Sequence, residues 1–274
     1  MIILIFISLI VCLITYYYFK FLSYFENGGK LVADVLKSHN IKFIFTLTGG
    51  HISPILSECK KLGIKIIDTR NEATAAFAAD GVSRMTNQIG VAVVTAGPGV
   101  TNTITAVRNA QMADSPMLLI GGAAATLLKG KGSLQDVEQL KLLKTVCKKV
   151  YSCTRLNQIE YCIKEAIFQA KNGVPGPVFV ELPIDLLYNK NVIIKNSGLE
   201  KTKKTFFGRL VDIYIAIKIN HIFSKSYFYN FDFKPKKIIT KKISNRVLHK
   251  ANNLILKSSQ PVAIIGSQIM NQKD

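Results

Sequence analysis

No motif that assigns a chemistry at a glance occurs in this chain of 274 residues. It has no tryptophan, and its five cysteines (Cys12, Cys59, Cys147, Cys153, Cys162) form no CxxC pair and no zinc-ligand spacing. An odd, scattered set of thiols excludes a disulfide framework and reads as reduced cysteines packed in a core. Neither Ser115 nor Ser133 sits in a G-x-S-x-G elbow, which excludes a hydrolase-type nucleophile there. No GKS or GKT closes a phosphate loop, and no GxGxxG turn opens a dinucleotide site. No matched set of His and carboxylates points to a metal. Acids are scarce: 17 against 36 Lys plus Arg, a net charge of +19. Spread evenly, that excess would point to nucleic acid. Instead, Lys190 to Lys257 holds 16 basic residues and 3 acids, with no recognition motif and no aromatic ladder. Nucleic acid is therefore not an expected partner, and a basic linker beside an anionic membrane is expected instead.

Hydrophobic residues make up 49% of the chain, enough for a sizeable core. The first of them form "MIILIFISLIVCLITYYYFKFL", uncharged over residues 1–19. This run predicts a transmembrane anchor over residues 1–22, with Tyr16, Tyr17, Tyr18 and Lys20 as its interfacial belt. It lacks the basic n-region and small-x-small exit of a cleaved signal peptide. Lys20, Lys30 and Lys37 follow the span, so the positive-inside rule leaves the body in the cytosol. The absence of any Asn-x-Ser/Thr acceptor agrees.

From residue 28 to 188 the pattern alternates. "GGKLVADVLKSHN", "ISPILSECKKLG" and "NEATAAFAADGVSRMT" read as helices, with Gly63 as a stop and Asn71 as an N-cap. "IKFIFTL", "IKIID", "GVAVVTA", "PMLLIGG" and "PVFVEL" read as strands, several apolar throughout as parallel strands are. A helix is expected near 156–172. The prediction is an α/β fold, a parallel sheet with helices on both faces. Residues 189–243 read as a basic linker with one helix near 208–219. Residues 244–274 read as the start of a second, incomplete α/β domain, with "SNRVLHKANNLILKSSQ" helical and "PVAIIGSQI" a buried strand.

In open parallel sheets, ligands sit beyond the carboxyl ends of strands. Three loops fall there: Thr48-Gly49-Gly50-His51, Arg70-Asn71-Glu72, and "TAGPGVTN" over 95–102. Glycines allow close backbone approach to a ligand, and Thr101 and Asn102 offer polar groups at a helix start. Each also has a plainer reading. Glu72 suits the first turn of a helix through the dipole alone. His51 is equally an exposed loop residue, "AGPGVTN" a tight strand-to-helix turn, and Asp114 a helix end.

The order of four long segments is more specific than any of them alone. "FTLTGGHISPIL", "RNEATAAFAADGVSR", "GVAVVTAGPGVTNTITAVRNAQMADSPMLLIGG" and "GPVFVELPIDLLY" together resemble the pyrimidine-binding domain of thiamine-diphosphate enzymes. The subgroup it resembles is the acetolactate-synthase-like proteins that act as 2-hydroxyacyl-CoA lyases. Residues 28–188 carry the resemblance, and 245–268 resemble the start of the family's central domain. The resemblance implies a catalytic, cofactor-binding role for Glu72: hydrogen bonding N1′ of the aminopyrimidine, which favours the imino tautomer and helps form the reactive ylide. The Ala-rich surroundings of Phe77 suit an acid that shares a proton with a ring nitrogen. Pro98 and Asn102 match the segment packing near the pyrimidine, and Gly49, Gly50 and His51 the loop facing the cofactor's reactive end.

The same resemblance implies cleavage of 2-hydroxyacyl-CoA to formyl-CoA and a shortened aldehyde, as in fatty-acid alpha-oxidation. It further implies an endoplasmic reticulum membrane and a homodimer or homotetramer. The family holds the diphosphate and its Mg2+ on a C-terminal domain through a GDG…N motif, and no GDG occurs here. The expectation is therefore a truncated chain, inactive alone, with no metal ligand of its own. An acetolactate-synthase-type carboligase, a non-catalytic partner of a full-length subunit and a basic membrane-attached scaffold are the competing readings.

Overall fold

A computed structural model describes residues 8–13, 27–86, 88–199, 205–224, 226, 229–238, 243–264 and 266. The first half of the domain runs α1 (Gly28–Ser38), β1 (Phe43–Leu47), α2 (Ser53–Lys61), β2 (Lys65–Asp68), α3 (Glu72–Thr86), β3 (Gly90–Val94), α4 (Pro98–Thr101) and α5 (Ile104–Met112). The second half runs β4 (Met117–Ala123), α6 (Gln139–Lys144), β5 (Lys149–Ser152), α7 (Gln158–Lys171), β6 (Val178–Pro183) and α8 (Ile184–Leu187). After it come α9 (Lys190–Asn196), α10 (Phe206–Phe223) and α11 (Asn245–Lys257).

The six strands form one sheet in the order β2-β1-β3-β4-β6-β5, and every pairing is parallel. The pleat sorts side chains by parity. Val91, Val93, Leu118, Ile120, Val178 and Val180 pack on one face with residues of α1, α2 and α7. Ala92, Val94, Met117, Leu119 and Phe179 pack on the other with residues of α3, α5 and α6. Both faces are thus covered, which is why β3, β4 and β6 are buried at every position. Each fully buried Leu, Ile, Val or Phe contributes about 1.5–3 kcal/mol of transfer free energy.

Local signals behave as the sequence suggests. Asn71 Oδ1 accepts the Ala73 N–H at 2.8 Å, capping α3. Gly63 ends α2 with φ +75°, and Asp114 turns the chain after α5 with φ +48°. The central strands touch α3 closely: a Cβ on Gly90 would lie 1.8 Å from the Ala79 carbonyl oxygen.

Several expectations are corrected. The single-pass membrane span, and with it the endoplasmic reticulum membrane localisation, is not supported: no helix among the described residues is long and apolar enough to cross a membrane. Of the 1–22 run only residues 8–13 are described. They are helical and rise about 9 Å, against a hydrocarbon core of about 30 Å; the rest of that run lies outside the described residues. Residues 261–264 of "PVAIIGSQI" are exposed and form no strand, because no described strand lies alongside to pair with them. The sheet also contains a strand not anticipated, β5, at its edge beside β6.

Candidate functional site

The three loops expected to hold a ligand follow β1, β2 and β3, which are neighbours in the sheet, so their carboxyl ends open side by side. Glu72 is the first residue of α3 and only 7% exposed. Its Oε2 accepts a hydrogen bond from Asn102 Nδ2 at 2.9 Å. Its Oε1 takes no hydrogen bond from any other described side chain or backbone group. Asn102 reaches it because Pro98 starts α4 directly after the turn at Gly97, and the Asn102 N–H closes that short helix on the Pro98 carbonyl. The turn itself requires Gly97, which has φ +62° and ψ −112°.

Close packing joins this pair to the glycine loop. A Cβ on Gly99 would lie 2.7 Å from Thr95 Cγ2 and 3.5 Å from Glu72 Oε1. A Cβ on Gly49 would lie 2.5 Å from Thr95 Cβ. The Thr95 hydroxyl is 3.4 Å from His51 Nδ1. His51 is half-buried, and burial pushes its imidazole pKa down, favouring the neutral ring. Gly50 is exposed, has open space on its Cβ side, and its carbonyl accepts the Tyr188 hydroxyl at 2.8 Å. Pro98 and Asn102 are exposed as well. The structure therefore brings Glu72 and Asn102 together, and His51 with Gly49 through Thr95, around an open mouth.

Two supports were not anticipated. Gln139, buried at the start of α6, accepts the Gly97 N–H at 3.2 Å and donates to the Gly122 carbonyl at 2.8 Å. It ties the 95–102 loop to the end of β4 across 42 residues of sequence. Gln135 holds φ +62° with its backbone against Gly97, where a Cβ would meet the Gln135 oxygen at 2.8 Å. A polar residue at or near the start of a short helix was the only sequence signal for either. Among the described residues, no group of three or more His, Cys, Asp or Glu is placed to hold a metal ion.

Residues 26–142 match the family described as thiamine pyrophosphate enzyme, N-terminal TPP binding domain. Over these residues the chain is similar to the N-terminal domain of thiamine-diphosphate-dependent enzymes. It is similar in particular to "2-hydroxyacyl-CoA lyase 2" of Danio rerio, 47% identical over 243 residues, which are 89% of this chain and 39% of that protein. The protein of the same name from Caenorhabditis elegans is 49% identical over 249 residues, 89% of this chain and 38% of that protein. A "Probable acetolactate synthase" of Mycobacterium bovis is more distant, 39% identical over 159 residues, 58% of this chain and 29% of that protein. The chain spans about two fifths of the length of the lyases it matches.

Proposed function

We propose that this chain supplies the pyrimidine side of the active site of a thiamine-diphosphate-dependent 2-hydroxyacyl-CoA lyase. Such an enzyme cleaves the bond between C1 and C2 to give formyl-CoA and an aldehyde one carbon shorter. The observation that carries the reading is Glu72, a buried carboxylate at a strand end, held by Asn102 through one oxygen while the other faces Gly99. An aminopyrimidine fits that site: the free oxygen can meet a ring nitrogen, and Gly49 and Gly99 leave room for the loops to pack flat beside it.

Thiamine diphosphate supplies a stabilised carbanion equivalent, the electron sink that C–C cleavage needs. In this reading Glu72 holds a proton at its carboxylate oxygen against N1′ of the ring. Asn102 orients that carboxylate, and Pro98 and Gly97 set the height of Asn102. His51, at the glycine loop, holds or receives a proton on the substrate side, a role its neutral ring suits. The diphosphate and magnesium are assigned to no residue described here. Greater identity and coverage in the lyases than in the acetolactate synthase favour acyl-CoA cleavage over pyruvate condensation.

The test is a chimera in which residues 28–188 replace the matching stretch of the Caenorhabditis elegans relative. It is assayed for formyl-CoA and aldehyde from a 2-hydroxyacyl-CoA. Activity in the chimera, falling about 100-fold or more in its Glu72→Gln form, is the expected result. A Glu72→Gln chimera within threefold of its parent would refute the assignment.

A further inference from the structure

A second feature opens at the same end of the sheet and meets the site above only at Gly50. It is a cavity of about 530 Å³, whose lining includes Leu127, Leu128, Ile184, Ile193, Ile215 and Ile219. Leu127 and Leu128 follow β4, Ile184 opens α8 directly after β6, and the remaining isoleucines come from α9 and α10. Gly50 stands at its rim, next in sequence to His51, and the bond from the Tyr188 hydroxyl to the Gly50 carbonyl fixes that rim. The cavity therefore begins where the glycine loop ends. Its size falls within the range of small-ligand sites, about 300–1,000 Å³.

Its lining is apolar apart from a few groups. One of these, Asp185, is 4% exposed, and its Oδ2 accepts both the N–H and the hydroxyl of Thr126. Its Oδ1 has no hydrogen-bond partner among the described residues. Burial pushes the Asp185 carboxyl pKa up, toward the neutral form that an apolar ligand tolerates. Among the described lining residues, none offers the basic fork that an anion needs.

We propose that this cavity takes the aliphatic tail of the acyl substrate, making Leu127, Leu128, Ile193, Ile215 and Ile219 residues that set chain-length preference. The inference rests on the lyase reading, because that reaction occurs at C1 and C2 and leaves the rest of the chain to be housed. A tail leaving the reacting carbons past His51 and Gly50 enters this space directly. α10 suits the role by its two-sided character. Ile215 and Ile219 face inward, whereas Phe206, Phe207, Ile213 and Ile217 lie exposed on its other sides.

The experiment uses the intact chain and the free acids 2-hydroxyoctanoate, 2-hydroxydecanoate and 2-hydroxydodecanoate below their micellar concentrations. Binding is read by displacement of a fluorescent fatty acid. Affinity should rise about threefold to fourfold per methylene, as burial of each CH2 implies. Ile193→Trp, which fills the cavity, and Leu128→Glu, which charges its wall at a half-exposed position, should each weaken dodecanoate binding at least tenfold. Ile217→Glu, on the exposed side of α10, should leave it unchanged. Affinity independent of chain length overturns the proposal. So does binding that survives both cavity variants and is lost in Ile217→Glu, since the tail would then lie on the outer face of α10. If Ile193→Trp fails to fold, Leu128→Glu decides alone. Chain-length-dependent binding beside an inactive chimera would sink the lyase reading and spare the cavity. An active chimera carrying residues 28–223, with an acyl-length preference unmoved by Leu128→Glu, would do the reverse.

Discussion

Asn102→Ala isolates the contact on which the site depends. The bond from its Nδ2 to Glu72 Oε2 is 2.9 Å long and joins an exposed amide to a buried carboxylate. Hydrogen bonds to charged groups contribute about 1.5–3 kcal/mol. Exposure of Asn102 allows water to replace part of that, so about 1–2 kcal/mol is expected. For a body of this size, that lowers the midpoint of thermal unfolding by about 2–8 °C. The loss should be specific to the pair. Urea unfolding of the wild-type chain, Asn102→Ala, Glu72→Ala and the double variant forms a cycle whose coupling energy should be about 1–2 kcal/mol. The m-value should stay constant, since the change is local. A coupling below about 0.5 kcal/mol, the limit of ordinary additivity, would mean that Asn102 does not hold Glu72, and its positioning role would fall. In the chimera the same substitution should cost roughly tenfold in turnover, the equivalent of about 1.4 kcal/mol.

Gly97→Ala should destabilise the chain by about 2–4 kcal/mol, because positive φ and a 2.8 Å clash with the Gln135 oxygen combine there. Gly173→Ala, with φ +68° and open space around it, should cost only about 1–2 kcal/mol; equal losses in chemical denaturation would contradict the packing argument. Lys129→Met removes the partner of Glu181, whose side chain is 1% exposed, and should cost about 2–4 kcal/mol, the lower part of the range applying because Lys129 itself is 37% exposed. Restoring that loss with Glu181→Gln in the same chain would confirm that the stranded charge is its source. Asp185→Asn tests the carboxyl whose folded-state pKa lies above the ordinary value of 3.8. Its stabilising contribution is complete below the unfolded pKa and fades as pH rises through the raised folded value. The variant, which keeps an oxygen for Thr126, should therefore gain on wild type between pH 4 and pH 7; a pH-independent difference in unfolding free energy would refute this.

Most of the sheet was legible because buried parallel strands advertise themselves as apolar runs, as in "GVAVVTA" and "PMLLIGG". Lys149–Ser152 escaped because an edge strand with a solvent-facing lysine carries no such run. Residues 261–264 of "PVAIIGSQI" differ the other way: they have the composition of a strand, but a strand also needs a neighbour, and composition does not supply one. The site loops were legible through their positions after strands. Their supports were not, because Gln139 to Gly97 and Thr95 to His51 join residues 42 and 44 apart.

Glu72 shows what geometry adds to pattern. As a first-turn acid it would be explained by the helix dipole alone, a solvent-tolerant effect of about 0.3–1 kcal/mol. The dipole does not require burial, and the plainer reading has no use for Asn102. Yet the carboxylate is buried, and its hydrogen bond comes from the end of a different helix, 30 residues away, placed by a glycine turn whose Gly97 N–H is accepted by Gln139. A residue retained only for its helix would not need that much of the neighbouring loop arranged around it. One oxygen is held by Asn102 and the other is not, which is the arrangement the proposed proton-sharing role calls for.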